Sequence, residues 1–475
     1  MSALAALLCQ AGENVSGSDV AFAPPAGPVL RETGVRCMTG YAAENLQPRP
    51  DLVVVGNAIR RDNAEAVEAE RLGVPRLSMS ETLRERFLSK RRPLVVAGTH
   101  GKTTTSAMCT TILRDAGCEP GWFIGGLPKG LPAAAGIGST RRRLDRGRGP
   151  FVVEGDEYDA AYWRKQPKFL DYVGVTKDEV LIVTSVEHDH VDIYPDVASY
   201  EDAFLSLLDA LSPGALLVCD AQDARLRELV DRIRPDRVHV AWYALEGDAT
   251  GEVTPTWTGA LAAALPDGAV TFDVFAGGVS CGRFSIRVPG RHNARNAVAA
   301  MAACVEGFGV SLAQVRASLA SFEGVRRRQD LLGTPRGVHV YDDFAHHPTA
   351  VDETLRALRA RHPKGALWAA FEPRSATACR ALHQQAYARA FESADHVLFA
   401  PLGRTNVPVV EQLDLPRLAG ELGPKARVMP SVAAIVEHLS DQARDGDCVA
   451  LLSNGTFGGI QLTLLAALKG SEGSR

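Results

Sequence analysis

The stretch PLVVAGTHGKTTTSAM, at 93–108, constrains this chain more than any other. Four apolar residues, Leu94, Val95, Val96 and Ala97, run into Gly98, and Gly101-Lys102-Thr103 follows. A short, unbroken apolar run is the pattern of a strand covered on both faces in a parallel sheet. Residues 103–116 hold neither Gly nor Pro, and Gly117 follows, which predicts a helix with a glycine stop. A turn between such a strand and a helix N-terminus offers free N–H groups and the positive end of the helix dipole, the setting that binds phosphate. The usual phosphate loop reads Gly, four residues, Gly-Lys-Ser/Thr. Here the position five before Gly101 is Val96 and the nearest upstream glycine is Gly98, so the loop is short. In this reading Lys102 reaches the outer phosphates and the Thr103 hydroxyl meets Mg²⁺.

A length of 475 residues suggests about three domains. The first, 1–91, alternates helix and strand: a helix over Ser2–Gln10, strands in ENVSGSD, PDLVVVGNAI and VPRLS. The second, 92–323, carries the loop, strands in FVVEGDEYD, EVLIVTSVEHDH and GALLVCDAQD, then antiparallel pieces and the Ala-rich helix RHNARNAVAAMAA. The third, 324–475, returns to strands in GVHVYDDFA, GALWAAFEP, ADHVLFAP and DCVALLSNG with helices between. This is the grammar of three α/β domains, doubly wound at both ends of the chain. A doubly wound unit opens with a strand and a Gly-rich turn, whereas this chain opens inside a helix. The first domain is therefore expected to lack its first strand.

A net charge of −4 argues against nucleic acid or an anionic membrane as partner, and no apolar run approaches the ~20 residues that span a bilayer. Nine singly scattered cysteines read as reduced thiols of a cytoplasmic protein. The basic stretch STRRRLDRGRG at 139–149 reads as a solvated loop.

Two acidic clusters follow the loop at strand ends: Glu154, Asp156, Glu157 and Asp159, then Glu187, Asp189, His190 and Asp192. Ligands of open α/β sheets bind beyond the carboxyl ends of the strands, and Mg²⁺ takes oxygen ligands there. Further polar strand ends carry Asp342, Asp343, His346 and His347, then Arg374 and Ser375, then Ser453, Asn454 and Gly455. Singly each is turn chemistry; together they read as a binding rim.

GTHGKTTT, EGDEYD, SVEHDHVD, GRHNARNA, GVRRRQD and DDFAHHP stand in the order and spacing of the Mur ligases, which the chain resembles over nearly its whole length. The resemblance implies ATP-dependent amide formation in peptidoglycan metabolism, through an acyl phosphate, with ATP and Mg²⁺. It makes the short GTxGKTT loop a family trait. It implies that Lys102, Glu154 and His190 are catalytic. ATP would lie on Gly98, Thr99, His100, Gly101, Lys102, Thr103, Thr104, Asn293, Asn296, Arg328 and Asp343, and metal on Thr103, Glu154 and His190. The UDP-sugar would lie on Ser18, Asp19 and Asn57, and the peptide on Arg374, Ser375 and Asn454. Members that add later residues carry a carbamylated lysine where this chain has YEDAFLSLL, at 200–208, without lysine. That points to a ligase acting directly on UDP-N-acetylmuramate. FEPRSAT and SNGTFGGI favour a murein tripeptide as second substrate, as in peptidoglycan recycling, with L-alanine as the alternative. Ala376 departs from the Asn usual in the first of these motifs. The expected assembly is a monomer or weak homodimer. A nucleotide-binding regulator without catalysis is the reading from another class.

Overall fold

The structure is a computed structural model that describes residues 1–23, 26–139, 148–233, 237–262, 268–404 and 406–470. Of the basic stretch at 139–149 read as a solvated loop, 140–147 lies outside the described residues, and Arg148 pairs with Asp178 at 2.8 Å.

The phosphate-loop strand, Arg92–Ala97, sits inside a ten-stranded sheet, between Val180–Val183 and Pro150–Glu154, and is parallel to both. Beyond Val180–Val183 the sheet continues in parallel through Leu216–Asp220, His239–Leu245 and Trp257–Leu261. It ends in two antiparallel strands, Val270–Ala276 and Val279–Ile286. On the other side, Gly121–Phe123 is parallel and Ala135–Gly136 antiparallel. Successive strand residues point to opposite faces, and both faces are apolar. Leu94, Val96, Val152, Ile182 and Val218 pack with Met108, Ile112 and Val298 on one side. Val95, Ala97, Val153, Val183 and Leu217 pack with Tyr200, Phe204 and Leu226 on the other. Each fully buried side chain of this kind contributes roughly 1.5–3 kcal/mol, which is why the run had to be apolar without alternation. The helix after the loop, Lys102–Asp115, is buried from Thr103 to Leu113. Inside the helix Thr110 and Thr111 donate to the carbonyls of Ser106 and Ala107, while the buried hydroxyls of Thr105 and Ser106 have no hydrogen-bond partner among the described residues.

The third segment forms a six-stranded sheet in the order Asp330–Gly333, His339–Asp343, Cys448–Leu452, Leu367–Phe371, His396–Phe399, Ala426–Val428. Only the first of these pairs antiparallel. The four strands expected here are present. Asp330–Gly333 and Ala426–Val428 are short edge strands with no apolar run to announce them, and His239–Leu245 in the central sheet was likewise not anticipated.

In the first segment Ser16–Asp19 pairs in parallel with Arg36–Thr39, and Val53–Val55 with Arg76–Ser78. The expected alternation of helix and strand is there. The strands form two separate parallel pairs among the described residues rather than one sheet. Leu4 and Leu7 of the opening helix, Ser2–Gln10, are buried in the core shared with the central sheet. No described helix is long and apolar enough to cross a membrane. All nine cysteines are free thiols.

Candidate active site

The loop owes its shape to two glycines. Gly98 has φ +123°, and a Cβ there would lie 2.2 Å from Thr184 Oγ1. Gly101 has φ +78° and caps the helix, and its Cβ would lie 2.6 Å from Asn296 Oδ1. Positive φ is open to glycine at little cost, and here the space is closed to any side chain as well. The loop is fixed from below by Thr99, whose hydroxyl donates to the Glu187 carbonyl, and by the His100 N–H on Ser185 Oγ.

Lys102 Nζ donates to Glu157 Oε1 at 2.7 Å, to the Thr99 carbonyl at 3.2 Å and to the Gly98 carbonyl. Glu157 is 1% exposed. Burial pushes its carboxyl above the usual carboxylate range, although Lys102 and His190 pull it down. Thr103 Oγ1 donates to Glu154 Oε1 at 2.8 Å, and Glu154 Oε2 accepts from the Gly125 N–H at 2.7 Å. Two oxygen donors thus converge beside the loop, the donor type that suits Mg²⁺. His190, at φ +55°, has Nδ1 3.1 Å from the Tyr158 hydroxyl and Nε2 4.0 Å from Glu157 Oε2. A non-glycine residue held in that left-handed region costs on the order of 1–3 kcal/mol and is concentrated at functional positions.

The two acidic clusters divide. Lys168 takes Asp156 at 2.6 Å and Lys165 takes Asp159 at 2.8 Å, leaving Glu154 and Glu157 on the loop. Asp189 accepts from the His190 N–H at 2.7 Å. Burial opposes its ionisation, but His190, His346 and His347 hold its carboxyl below the usual range. Glu187 turns to His100 Nε2 at 2.8 Å and to the Thr349 hydroxyl. Against burial, the His100 hydrogen bond and His347 bring its carboxyl to about 2.

A cavity of about 220 Å³ lies between the carboxyl ends of the central and third sheets. Every residue named from the sequence for ATP or metal lines it except Gly98. Arg328 comes from the third segment, with Nη2 3.5 Å from Thr103 Oγ1 and its guanidinium 5.0 Å from the Phe344 ring. Asp343 accepts from the N–H groups of Gln329 and Ala345 at 2.6 and 2.7 Å, and burial raises its carboxyl. Asn296 packs on Gly101, while Asn293 Nδ2 donates to the Pro289 carbonyl at 2.6 Å. A larger groove, about 1070 Å³, lies along 381–428 and holds none of the residues named from the sequence.

The residues named for the peptide and the sugar lie outside this cavity. Arg374 lies across Gly455, where a Cβ would meet its Cδ at 2.1 Å, and across Gly403. It is 3.5 Å from Glu372 and half exposed. Asn454 Oδ1 is buried without a hydrogen-bond partner. Ser375 is buried and its hydroxyl accepts from the Ala378 N–H, a local turn bond. Ser18 accepts from Asn45 Nδ2, and Asp19 accepts from the Val20 N–H. Ser18 and Asp19 close the strand Ser16–Asp19, and Asn57 follows Val53–Val55 and is exposed. Sequence reasoning did not single out Tyr158, Gly125 or Arg404. Arg404 donates to the Arg374 carbonyl at 3.1 Å from a loop with no motif to mark it.

Three family models match in order: Mur ligase family, catalytic domain, at 1–91; Mur ligase middle domain, at 96–304; and Mur ligase, glutamate ligase domain, at 327–455. The UDP-N-acetylmuramate–L-alanyl-γ-D-glutamyl-meso-2,6-diaminoheptandioate ligase of Escherichia coli K12 is 34% identical over 474 residues, covering 98% of this chain and 96% of that protein. A UDP-N-acetylmuramate–L-alanine ligase of Kineococcus radiotolerans is 35% identical, over 98% of this chain and 94% of its own. Among solved structures, a murein peptide ligase from Psychrobacter arcticus superposes with a TM-score of 0.71 at 31% identity, over 99% of this chain and 96% of that one. With full-length relatives above 30% identity and the loop, acid pair and histidine gathered at one cleft, the chain belongs to the Mur ligase family.

Proposed function

We propose that the protein joins UDP-N-acetylmuramate to a murein tripeptide, L-alanyl-γ-D-glutamyl-meso-diaminopimelate, at the expense of ATP. The observation that carries this is the pairing of a phosphate-loop cleft with Arg374 and the unpartnered Asn454 Oδ1 on the facing sheet, in a chain 34% identical to a tripeptide ligase. Arg374 suits a peptide rich in carboxylates because its planar fork binds them in bidentate fashion.

A carboxylate is a poor electrophile, and phosphorylation by ATP gives it a leaving group. The N–H groups of the short loop and the N-terminus of Lys102–Asp115 hold the nucleotide phosphates. Lys102 exchanges Glu157 and the loop carbonyls for the outer phosphates, and its charge counts most as the phosphoryl group transfers to the lactyl carboxylate. Mg²⁺, when bound, neutralises charge on the transferring phosphoryl oxygens; Thr103, Glu154 and His190 are the residues that would hold it. Arg328 approaches from the facing sheet and completes the positive surround. The peptide amine, steered by Arg374 and Asn454, attacks the acyl carbonyl, the amide bond forms and phosphate leaves. Ser18, Asp19 and Asn57 are the proposed contacts of the uridine nucleotide.

The 35% identity to an L-alanine ligase supports a second reading in which free L-alanine is the amine. One assay separates the two. The protein, ATP and Mg²⁺ are incubated with UDP-N-acetylmuramate and, in turn, L-alanine, tripeptide and tetrapeptide, and products are resolved by mass. Product with L-alanine alone would overturn the tripeptide reading, and no amide with any amine would support a regulator.

A further inference from the structure

We propose a second metal site, for Zn²⁺ or a similar imidazole-seeking divalent ion, formed by His100, Glu187 and His347 and bridging the phosphate loop to the third sheet. His100 Nε2 lies 2.8 Å from Glu187 Oε2, and His347 Nδ1 lies 3.8 Å from the same oxygen. The three ligand atoms fall within 4.8 Å of one another. Tetrahedral zinc with bonds near 2.0–2.1 Å needs donors about 3.3 Å apart, so small ring rotations close the set. An ion pair between His100 and Glu187 accounts for two of these residues without a metal. It does not account for His347, which is 3% exposed with neither ring nitrogen hydrogen-bonded. A buried polar group left unpaired destabilises the fold, and a ligand bond removes that cost.

The surroundings fit a ligand set. Thr349 Oγ1 is 2.9 Å from both Glu187 oxygens and orients the carboxylate, as outer-shell partners do. The His347 ring stands between His100, at 4.8 Å between centroids, and His383, at 4.6 Å. Two imidazoles with one carboxylate select zinc-type ions over Mg²⁺. Thr103, Glu154 and His190 are not members, so the ligand set differs from the one proposed for the nucleotide's metal, although His100 and His347 line the same cavity. His100 precedes Gly101 in the loop and His347 caps the helix Pro348–Arg361. Occupancy therefore ties the loop to the third sheet. The proposal does not depend on the ligase reading.

The test uses the chelator-treated full chain without nucleotide. Zn²⁺ is titrated by calorimetry, and Co²⁺ is followed by its visible d–d absorption. One equivalent is expected to bind, with affinity at least ~10-fold weaker in His347→Gln and His347→Ala and ~10–100-fold weaker in Thr349→Val, and unchanged in His190→Ala. Circular dichroism identifies which His347 variant is folded, and that variant carries the comparison. No saturable binding, or binding that survives in the folded His347 variant and disappears in His190→Ala, overturns the site.

Discussion

Replacing Lys102 by Ala is expected to do two separable things. The first is structural. Lys102 Nζ is 2.7 Å from Glu157 Oε1, and Glu157 is 1% exposed, so the variant leaves a buried carboxylate without its cation. Breaking a buried pair typically costs about 3–5 kcal/mol. The carboxylate has an escape, however, which is to take a proton. At pH 7 that costs at most about 1.36 × (7 − 4.3), roughly 3.7 kcal/mol, and at pH 5 only about 1 kcal/mol. Protonation therefore sets the ceiling, and a loss of about 2–3.5 kcal/mol is expected at pH 7. The sign follows from linkage: burial already raises Glu157 in the folded protein, and removal of Lys102 raises it further above its unfolded value. The penalty is absent below pH ~4.3 and grows as pH rises toward the folded-state value. Urea unfolding of the metal-free protein at pH 5 and pH 8, followed by circular dichroism, reads this directly. Lys102→Ala/Glu157→Gln should recover most of the stability and lose the pH dependence. The second effect is on chemistry: turnover should fall at least ~10²-fold at saturating ATP, and Glu157→Gln should not restore it. A pH-independent loss of stability, or an equal loss in the double variant, would refute the pairing argument; retained turnover would refute the phosphate-loop assignment.

Glu154→Gln and His190→Ala should raise the Mg²⁺ concentration needed for half-maximal turnover at least ~10-fold or abolish turnover, since they remove proposed metal ligands beside Thr103; wild-type metal dependence in both would show the cleft acids to be bystanders. Arg374→Ala should raise the peptide KM far more than the ATP KM, with ~2–5 kcal/mol lost when one partner of a buried charged bond is removed, and toward the low end here because the side chain is half exposed; the opposite split places Arg374 elsewhere. Asp220 is buried at a strand end, 3.5 Å from Arg295, and burial pushes its carboxyl up to about 7 against the pull of Arg295. Its folded value exceeds its unfolded one, so the stability it contributes is full below pH ~4 and is lost as pH rises to 7; Asp220→Asn should flatten the urea-midpoint profile over that range, and parallel profiles would count against it.

The local sequence determined a good deal about this protein. The unbroken run Leu94–Val95–Val96–Ala97 pointed to a strand covered on both faces, and it is one, whereas the crowding that closes Gly98 and Gly101 to a side chain comes from Thr184 and Asn296, far along the chain. Many of the motif residues meet at the cleft because they follow strand ends, and parallel strands deliver their ends to one edge; Asn293 and Asn296 come instead from the helix Arg291–Ala302. Short edge strands such as Ala426–Val428 carried no such mark, since their pairing comes from a neighbour and not from their own pattern. Only the tertiary structure decided how the charges divide. EGDEYD offers four equivalent-looking carboxylates, and nothing along the chain says that Lys168 and Lys165 take Asp156 and Asp159 while Glu157 is buried against Lys102. Nor does GTHGKTTT say that its histidine meets Glu187 and His347, which lie 87 and 247 positions further along. Coulomb and hydrogen-bond partners are chosen by distances of a few ångströms, and those distances are set by the packing of two sheets rather than by spacing along the chain.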